Sequence, residues 1–534
     1  MRVASKRPRS QSHYRRATPP LLSIAGWVTT LVFAAPFVYL AWETTRLGNF
    51  FDVLGRSDVT GPLLRSLALA SATSALATFI GGWLAWLIVR TDLPGRRIFG
   101  VAVALPLVIP SYVAAASLRA AFGPGSLIGW VPRPSGFLGA LLVLTAVTYP
   151  YVYLPVAARL RTMPASLEDA ARSLGDTGMA VVRRVVIPQA RTALVGGSLI
   201  VALYTMSDFG AVSLLRYDTM TRAIFASRLA APETALALGL TLSLVALAVA
   251  SVTRKTSQTP GTAPNAAHMR VYSVGKYRNW LIAAVLALVT LALVAPIGVF
   301  VVWWLRGGQG VVDSFAALRD PAVHSALAGL TAGGAAMILL LPAAYLVARR
   351  TSRTAAAVDL MVAATFALPG LVLALAVVYW VLRTPGPIAG LYQSFPLLII
   401  AYLVHFGVQS HRSTTAAVQA IPPQYGEAAR MLGSGPIRRF ITVDVPLISP
   451  GVIAGGGLVM LSTMKELPAT LLLAPLGFDT LATRVWGAAA DGFLADTGIA
   501  SLALVAISAL LTWILVLRPA QLVAPLQSAS RPAE

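Results

Sequence analysis

The sequence EDAARSLGDTGMAVVRRVVIP at residues 168–188 returns as GEAARMLGSGPIRRFITVDVP at residues 426–446. In both copies an acidic residue and two alanines precede a glycine, and a proline follows that glycine at the same distance. The correspondence continues outside this stretch at a spacing of 258 or 259 residues, for example from Arg90 to Arg349. Self-similarity at a constant spacing is the signature of repeated units. The chain is therefore a tandem duplication, and we expect its function to depend on two copies of one unit.

The composition indicates a membrane protein. Hydrophobic residues make up 57% of the chain and charged residues only 12%, a balance that soluble domains do not show. Apolar runs long enough to cross a bilayer recur along the whole sequence, six in each copy. Because no strand-like alternation appears, and because backbone groups must be satisfied within lipid, these runs are predicted to be helices. The predicted fold class is an all-α polytopic membrane protein with about 12 transmembrane helices in two tandem six-helix halves.

The predicted spans and the predicted divisions of the chain follow from these runs. The spans are 22–42, 63–89, 98–121, 138–158, 192–215 and 234–252 in the first half, and 280–305, 324–348, 356–382, 395–417, 450–474 and 497–517 in the second. The divisions are a basic N-terminal tail (1–20), a first transmembrane half (21–252), a linker (253–279), a second transmembrane half (280–518) and a C-terminal tail (519–534).

The net charge of +22 is distributed in a way that predicts orientation. Arginine and lysine are concentrated in the N-terminal tail, in residues 90–97, in the linker and in the two repeated loops, whereas the intervening loops mix acidic and basic residues. By the positive-inside rule, both termini, the linker and both repeated loops lie in the cytoplasm. The charge therefore reports topology, and we do not expect nucleic acid to be a partner.

The repeated loops, residues 161–191 and 419–449, are predicted to carry a docking surface on each half. Each contains a short amphipathic helix with proline ahead of it and acidic residues near its start, where they face the positive end of the helix dipole. Gly175 and Gly433 are expected to end these helices, and the proline that follows each glycine is expected to mark where the chain turns back to the membrane. An ordinary surface loop is the alternative, but two copies with the same spacing favour docking of a cytoplasmic partner.

This loop resembles the signature loop of permease subunits in binding-protein-dependent ABC importers, which has the pattern E-A-A-x3-G-x9-I-x-L-P. Both copies match it, with Asp169 replacing glutamate in the first and valine or isoleucine at the aliphatic positions. Other stretches resemble the fused, two-copy ferric-iron transport permeases. These stretches are LPLVIPSY (105–112), YPYVY (149–153), MKELPAT (464–470) and GFDTLATRVW (477–486). The resemblance covers nearly the whole chain after residue 20 and implies the type I ABC importer permease fold.

The resemblance also implies partners and a site. Each short helix would be a coupling helix seated in a groove of an ATP-binding subunit. The residues assigned to ATPase docking are Glu168, Asp169, Ala170, Ala171, Gly175, Glu427, Ala428, Ala429 and Gly433. The sequence has no G-x-x-x-x-G-K-[ST] phosphate loop, so ATP and magnesium are expected on two copies of a separate cytoplasmic ABC ATPase, with no cofactor on this chain. An extracytoplasmic substrate-binding protein is the other expected partner, and the membrane is the bacterial inner membrane.

Ionisable groups within the predicted spans are candidates for a translocation path, because such groups are costly in lipid. Asp208 and the pair Lys465-Glu466 occupy matching places in the two halves, where carboxylates would tolerate a hard cation. The alternatives are that Lys465 pairs with a carboxylate, or that these groups already lie in the wet interface. Tyr149 and Tyr151 are weaker candidates, because a cluster of tyrosine and proline near an interface more often anchors and kinks a helix.

Neither a metal site nor a catalytic site is predicted. The chain has no cysteine, and no cluster of histidine and acidic residues has metal-site spacing. His405 and His324 are isolated in the sequence, so core packing or an interhelical hydrogen bond is expected for them. A nucleophile with a neighbouring base is also absent from the pattern, so the chain is expected to be a translocation subunit and not an enzyme.

The predicted function is import of ferric iron by alternating access, driven by the separate ATPase and supplied by the binding protein. Import of thiamine, phosphonate or another small solute is an alternative, because permeases for these share the fused architecture. A further alternative is an ion-coupled secondary transporter, whose internal repeat is more often inverted or carries broken helices and coupling acids at mid-membrane. The paired docking loops argue against that alternative.

Overall fold

The computed structural model describes residues 20–46, 55–257, 270–307, 316–384 and 386–514. These residues form helices, and they contain isolated backbone bridges but no strand. The first-half helices are Pro20–Arg46, Ser57–Arg90, Arg96–Ala102, Ser111–Ala121, Gly136–Thr148, Pro150–Arg161, Ala165–Ser173, Gly178–Val181, Ile187–Ser207, Gly210–Leu214, Met220–Ser227 and Pro232–Ser257. The second-half helices are Arg278–Val289, Ala295–Arg306, Arg319–Leu339, Leu341–Arg349, Arg353–Ala367, Gly370–Arg383, Phe395–Ala420, Pro423–Met431, Pro436–Arg439, Val445–Met464, Pro468–Leu473, Leu481–Asp491 and Leu494–Thr512. The predicted C-terminal tail, and all but the last residue of the predicted N-terminal tail, lie outside the described residues.

Within the described ranges, nine helices are long and apolar enough to cross a membrane, and two bent helix pairs raise that number to eleven. The one remaining predicted span, 395–417, is the tenth in chain order and corresponds to the 26-residue helix Phe395–Ala420. This helix is long enough to span, but His405, Gln409 and His411 make it less apolar than the others. The all-α architecture with two halves is therefore confirmed.

Two spans predicted as straight helices are sharply bent. The axis turns by 91° between Arg96–Val108 and Ser111–Ala121, and by 107° between Arg353–Ala367 and Gly370–Arg383. In both cases a proline, Pro110 or Pro369, is the residue just before the second helix. Proline lacks a backbone donor and disfavours helical geometry in the residue before it, so a helix breaks there. Because the break recurs at equivalent positions, both halves contain the same bent element.

The spans predicted at 192–215 and 450–474 are wrong at both ends. The corresponding helices run from Gly178 to Ser207 and from Pro436 to Met464. They begin well inside the predicted docking loops and end before the last part of the predicted spans. The polar residues that follow Ser207 and Met464 interrupt each helix, and a separate short helix comes next.

The prolines at the end of the repeated motif do not turn the chain back toward the membrane, contrary to the sequence prediction. A π-helical turn, Val182–Val186 in the first half and Phe440–Asp444 in the second, lies directly ahead of Pro188 and Pro446. A wider turn shifts the carbonyl with which the proline ring would clash, so the helix continues through the proline. The break between each docking helix and the long helix instead lies at Gly175 or Gly433, where the backbone is left-handed.

The first long helix of each half packs against the other half. Pro20–Arg46 lies against Leu341–Arg349 and Arg353–Ala367, and a side chain at Gly26 would collide with Leu346. The second-half helix Ala295–Arg306 packs in turn on Ser111–Ala121 of the first half. The largest of the three hydrophobic clusters contains residues of both halves, so neither half forms a separate body.

Candidate functional site

The two predicted docking helices are Ala165–Ser173 and Pro423–Met431, and each ends at a glycine in the left-handed region. The φ angle is +93° at Gly175 and +78° at Gly433, values that residues with a side chain rarely adopt. A Cβ atom at either position would meet nothing within 4 Å. Glycine is therefore required for backbone conformation and not for space, and the expected helix stops are confirmed.

Large apolar side chains stand exposed at the tips of both docking helices. Leu174 is 89% exposed in the first loop, and Met431 and Leu432 are 84% and 85% exposed in the second. Beside them, Met179 and Ile437 are also exposed. Clustered exposed apolar groups of this kind mark a surface that another molecule covers. The two loops thus present matching apolar tips.

The residues assigned to docking differ in their exposure. Six of them are exposed: Asp169, Ala170, Gly175, Glu427, Ala428 and Gly433. Ala171 is half-buried and Ala429 is buried. Glu168 is completely buried, so its carboxylate lies inside the protein, away from the exposed loop surface.

Glu168 belongs to a buried cluster that the sequence did not reveal. An Arg90 guanidinium nitrogen lies 2.8 Å from a Glu168 carboxylate oxygen, and neither side chain has any exposed surface. The Tyr272 hydroxyl donates a hydrogen bond to the same carboxylate. Burial and this bond to Glu168 raise the pKa of the Tyr272 phenol, so the phenol keeps its proton and remains a donor. Arg270 forms an ion pair with the neighbouring Asp169.

In the part of the chain that the structure describes, the second loop has no equivalent cluster. The position that matches Glu168 is Gly426, and the arginine that matches Arg90, Arg349, donates instead to the carbonyl oxygen of Ile421 at 3.1 Å. A different polar contact lies nearby, in which the Tyr345 hydroxyl donates to Asp444 at 3.0 Å. The unequal partners of Arg90 and Arg349 are visible in the sequence as the Glu-to-Gly difference, but Tyr272 lies too far along the chain to be predicted as a partner.

The buried carboxylates Asp208 and Glu466 both lie at the start of a short helix. Asp208 accepts backbone hydrogen bonds from Ala211 at 3.0 Å and Val212 at 3.3 Å, and a further bond from the Ser111 hydroxyl. Such a carboxylate satisfies the free N–H groups of the helix Gly210–Leu214.

Glu466 has the same role in the second half. Its two carboxylate oxygens accept from the backbone N–H groups of Ala469 and Thr470 at 3.0 to 3.1 Å, at the start of the helix Pro468–Leu473. A Cβ atom at Gly370 would lie 3.0 Å from both Glu466 and His405, so these two side chains approach the same point. The matching sequence positions therefore become matching helix caps.

The two halves meet next to these capped helices. The Tyr112 hydroxyl of the first half donates to the Lys465 carbonyl oxygen at 3.4 Å, and the rings of Phe209 and Trp486 lie 5.2 Å apart. Among the described residues, no carboxylate lies within ion-pair distance of Lys465, so the alternative in which Lys465 pairs with an acid is not supported there. The structure thus brings the Asp208 region and the Lys465-Glu466 region to one interface.

The tyrosine candidates, Tyr149 and Tyr151, pack between helices of the first half. Tyr149 is completely buried, and its hydroxyl has no hydrogen-bond partner among the described residues. The Tyr151 ring lies 5.7 Å from that of Tyr204. His324 donates a hydrogen bond through Nδ1–H to the Asp479 carbonyl oxygen at 2.9 Å, as expected for a structural histidine. In the part of the chain that the structure describes, no group of three histidine or acidic residues could hold a metal ion.

Comparison with known proteins identifies the family. Residues 77–258 and 340–523 each match the binding-protein-dependent transport system inner membrane component. An Fe(3+)-transport system permease protein, FbpB 2, of Haemophilus influenzae is 28% identical over 87% of this chain and 93% of its own length. A probable ABC transporter permease protein, y4fN, of Sinorhizobium fredii is 25% identical over 85% of this chain and 87% of its own. A probable molybdenum ABC transporter permease protein of Haloferax volcanii is 30% identical over 38% of this chain and 74% of its own. This chain belongs to the family of inner-membrane components of binding-protein-dependent transport systems, and it carries two tandem copies of the family's domain.

Proposed function

We propose that this chain is the permease of an ATP-driven importer of ferric iron, which an extracytoplasmic binding protein delivers. The paired docking helices carry the ATP-driven part of this proposal, because each presents an exposed apolar tip at an equivalent position of its half. The substrate rests on the iron permease of Haemophilus influenzae, which resembles this chain over nearly its whole length. In the proposed orientation both docking loops face the cytoplasm, where two ATPase subunits would bind them.

A long helix connects each docking helix to the contact between the halves. The helix Gly178–Ser207 has 30 residues and Pro436–Met464 has 29, so each extends over about 45 Å. At the loop end of the first, Arg184 binds Asp176 at 2.7 Å and Arg159 donates to the Gln189 carbonyl oxygen at 3.2 Å. At the other end lie the capped short helices. Displacement of a docking helix by the ATPase would therefore move the region where the halves meet.

The carboxylates at that contact have a defined part in this mechanism. Asp208 and Glu466 hold the starts of the short helices by accepting backbone hydrogen bonds. Their oxygens are thus occupied by these hydrogen bonds, so the two capped helix starts form rigid corners at the interface of the halves. We propose that these corners open and close the path as the long helices move, and that selectivity for the substrate resides mainly in the binding protein.

A second candidate substrate is an anion, either an oxyanion or a negatively charged ferric chelate. Lys465 is a charged side chain at the contact between the halves, and it has no acidic partner among the described residues. An uncompensated ammonium group there would attract an anion and repel a bare cation. The molybdenum permease of Haloferax volcanii is a relative over part of the chain.

The proposal is tested with the permease in nanodiscs. Purified candidate ATPase should bind the wild-type chain and lose binding when Leu174 and Leu432 are both changed to serine. Cells that depend on the transporter are then supplied with radioactive ferric iron, ferric citrate or molybdate. Uptake of ferric iron without molybdate supports the proposal, and uptake of molybdate alone contradicts the iron assignment. Transport in liposomes that lack any ATPase would contradict the whole mechanism.

A further inference from the structure

The segment that enters the second half is bound to the first half by its backbone. The N–H group of Tyr272 donates to the Arg90 carbonyl oxygen at 2.8 Å, and the N–H group of Asp92 donates to the Tyr272 carbonyl oxygen at 3.1 Å. The N–H group of Val274 donates to the Asp92 carboxylate at 2.9 Å. Residues 270–274, which we call the clasp, therefore pair with the end of the helix Ser57–Arg90.

The side chains of the clasp bind the first docking helix. Tyr272 donates to Glu168, and Arg270 forms an ion pair with Asp169. The Arg172 guanidinium lies over the Tyr272 ring at 5.6 Å. Thus three residues of the docking helix, Glu168, Asp169 and Arg172, contact the clasp. The two segments are about a hundred residues apart in the chain.

Because the ion pair between Arg90 and Glu168 is buried, its stability depends on the contacts that the clasp makes with Glu168. Arg90 and Glu168 have no exposed surface, and a buried charge is tolerated only while its partner and its hydrogen bonds are in place. Tyr272 supplies the second bond to Glu168, and its ring also lies 5.2 Å from that of Trp86. Withdrawal of the clasp would leave the Glu168 carboxylate with one partner fewer and admit water to the pair.

We propose that the clasp fixes the first docking helix to the second half, and that Glu168 is a positioning residue for ATPase coupling instead of an ATPase contact. The clasp continues directly into the second-half helix that begins at Arg278, so movement of that helix is passed to the first docking loop. Among the described residues the second loop has no such connection, and Gly426 stands where Glu168 stands in the first. The two ATPase docking sites are therefore mechanically unequal. This inference rests on the proposed function for its meaning in transport, but the contact itself is tested independently.

The contact is tested in the permease alone, because the chain has no cysteine and accepts a single spin label without further changes. Leu174→Cys and Leu432→Cys place the label at equivalent, exposed positions of the two loops. Tyr272→Phe removes only the hydroxyl that binds Glu168. A hydrogen bond to a charged group is worth about a tenfold change in an equilibrium, so the released population of the first loop should rise about tenfold. The label at position 432 should not change.

Two controls separate the clasp from general damage. Tyr277→Phe alters an exposed phenol just after the clasp and should leave both labels unchanged. Glu168→Gln should mobilise the label at position 174 as Tyr272→Phe does. An unchanged label at position 174 in both variants, or equal mobilisation of both loops, overturns the proposal.

The consequence for transport is tested in the assembled complex with its ATPase. Tyr272→Phe should lower the amount of substrate moved per ATP while ATPase binding persists, and Tyr277→Phe should not. Failure of the wild-type chain to bind any ATPase would refute the proposed function but leave the spin-label result intact. Normal coupling in Tyr272→Phe with a mobilised first loop would refute the positioning role alone.

Discussion

The two docking loops have the same backbone conformation but differ in the contacts that hold them in place. Both begin after a proline, end at a left-handed glycine and continue into a π-helical turn. The first is fastened by the buried pair of Arg90 and Glu168 and by Tyr272, whereas the second has Gly426 and an arginine bound to a carbonyl oxygen. The duplication has preserved the shape that a partner would bind and has changed the internal support behind it.

Equivalent serine residues in the two halves make the same hydrogen bond to the backbone. The Ser66 hydroxyl accepts from the Met220 N–H group at 2.8 Å, and the Ser325 hydroxyl accepts from the Leu481 N–H group at 2.8 Å. These contacts lie within one half, so each copy keeps them. The contacts of the clasp join the linker to the first half, and among the described residues they reach the first loop only.

The largest contrast is expected between Arg90→Ala and Arg349→Ala. The first change leaves the buried Glu168 carboxylate without its ion-pair partner, which costs about 3–5 kcal/mol of stability. The second removes one hydrogen bond to a carbonyl oxygen and costs about 1 kcal/mol. Thermal unfolding of the two variants in detergent measures the difference. Equal losses of stability would show that the two loops are supported alike.

The next effect concerns the exposed tips, where the loops should behave alike. Leu174→Ser and Leu432→Ser each remove an apolar side chain from the predicted ATPase contact, which would weaken binding by about 2 kcal/mol. Neither side chain packs inside the protein, so unfolding temperatures should stay unchanged. Affinity is measured between nanodisc permease and purified ATPase. Wild-type affinity in both variants would mean that the partner binds elsewhere.

The sequence predicted the shared features of the two loops well. Repetition of the motif located both docking helices, and the glycine at the end of each was predicted from its permitted conformation. The buried cluster of Arg90, Glu168 and Tyr272 could not be predicted, because Tyr272 and Glu168 are distant in sequence and only folding brings them together. Glu168 was assigned to docking as an acidic residue near the start of the docking helix, and its burial against Tyr272 is invisible to a local pattern.

The sequence was also limited where helices break. Hydropathy finds apolar runs but not their axes, so the bends before Pro110 and Pro369 were predicted as straight spans. The runs that end at Asp208 and Glu466 were drawn too long for the same reason. Their carboxylates were noticed as ionisable groups in apolar runs, but their role as caps depends on the direction of short helices that hydropathy does not report.

A smaller effect on substrate uptake is expected at Asp208, where two substitutions distinguish helix capping from cation binding. Asparagine can accept the same backbone bonds as aspartate, whereas alanine cannot, and loss of such a cap costs about 1–2 kcal/mol. Asp208→Asn should therefore retain most substrate uptake, and Asp208→Ala should lose several-fold more. Glu466→Gln and Glu466→Ala should repeat this pattern in the second half. Equal and complete loss of uptake in Asp208→Asn and Asp208→Ala would mean that the negative charge itself handles the substrate.

The smallest expected effect tests whether the clasp limits adjustment of the first loop. Gly175→Ala and Gly433→Ala both place a side chain at a positive φ angle, at a local cost of about 1 kcal/mol. The space around both glycines is open, so only the backbone resists the change. Among the described residues no clasp holds the second loop, so that loop can shift to relieve the strain, whereas Tyr272 and Arg270 hold the first. ATPase affinity should thus fall further in Gly175→Ala than in Gly433→Ala, and adding Tyr272→Phe to Gly175→Ala should remove that difference. A larger loss in Gly433→Ala would show that the second docking helix, and not the first, is the more firmly held.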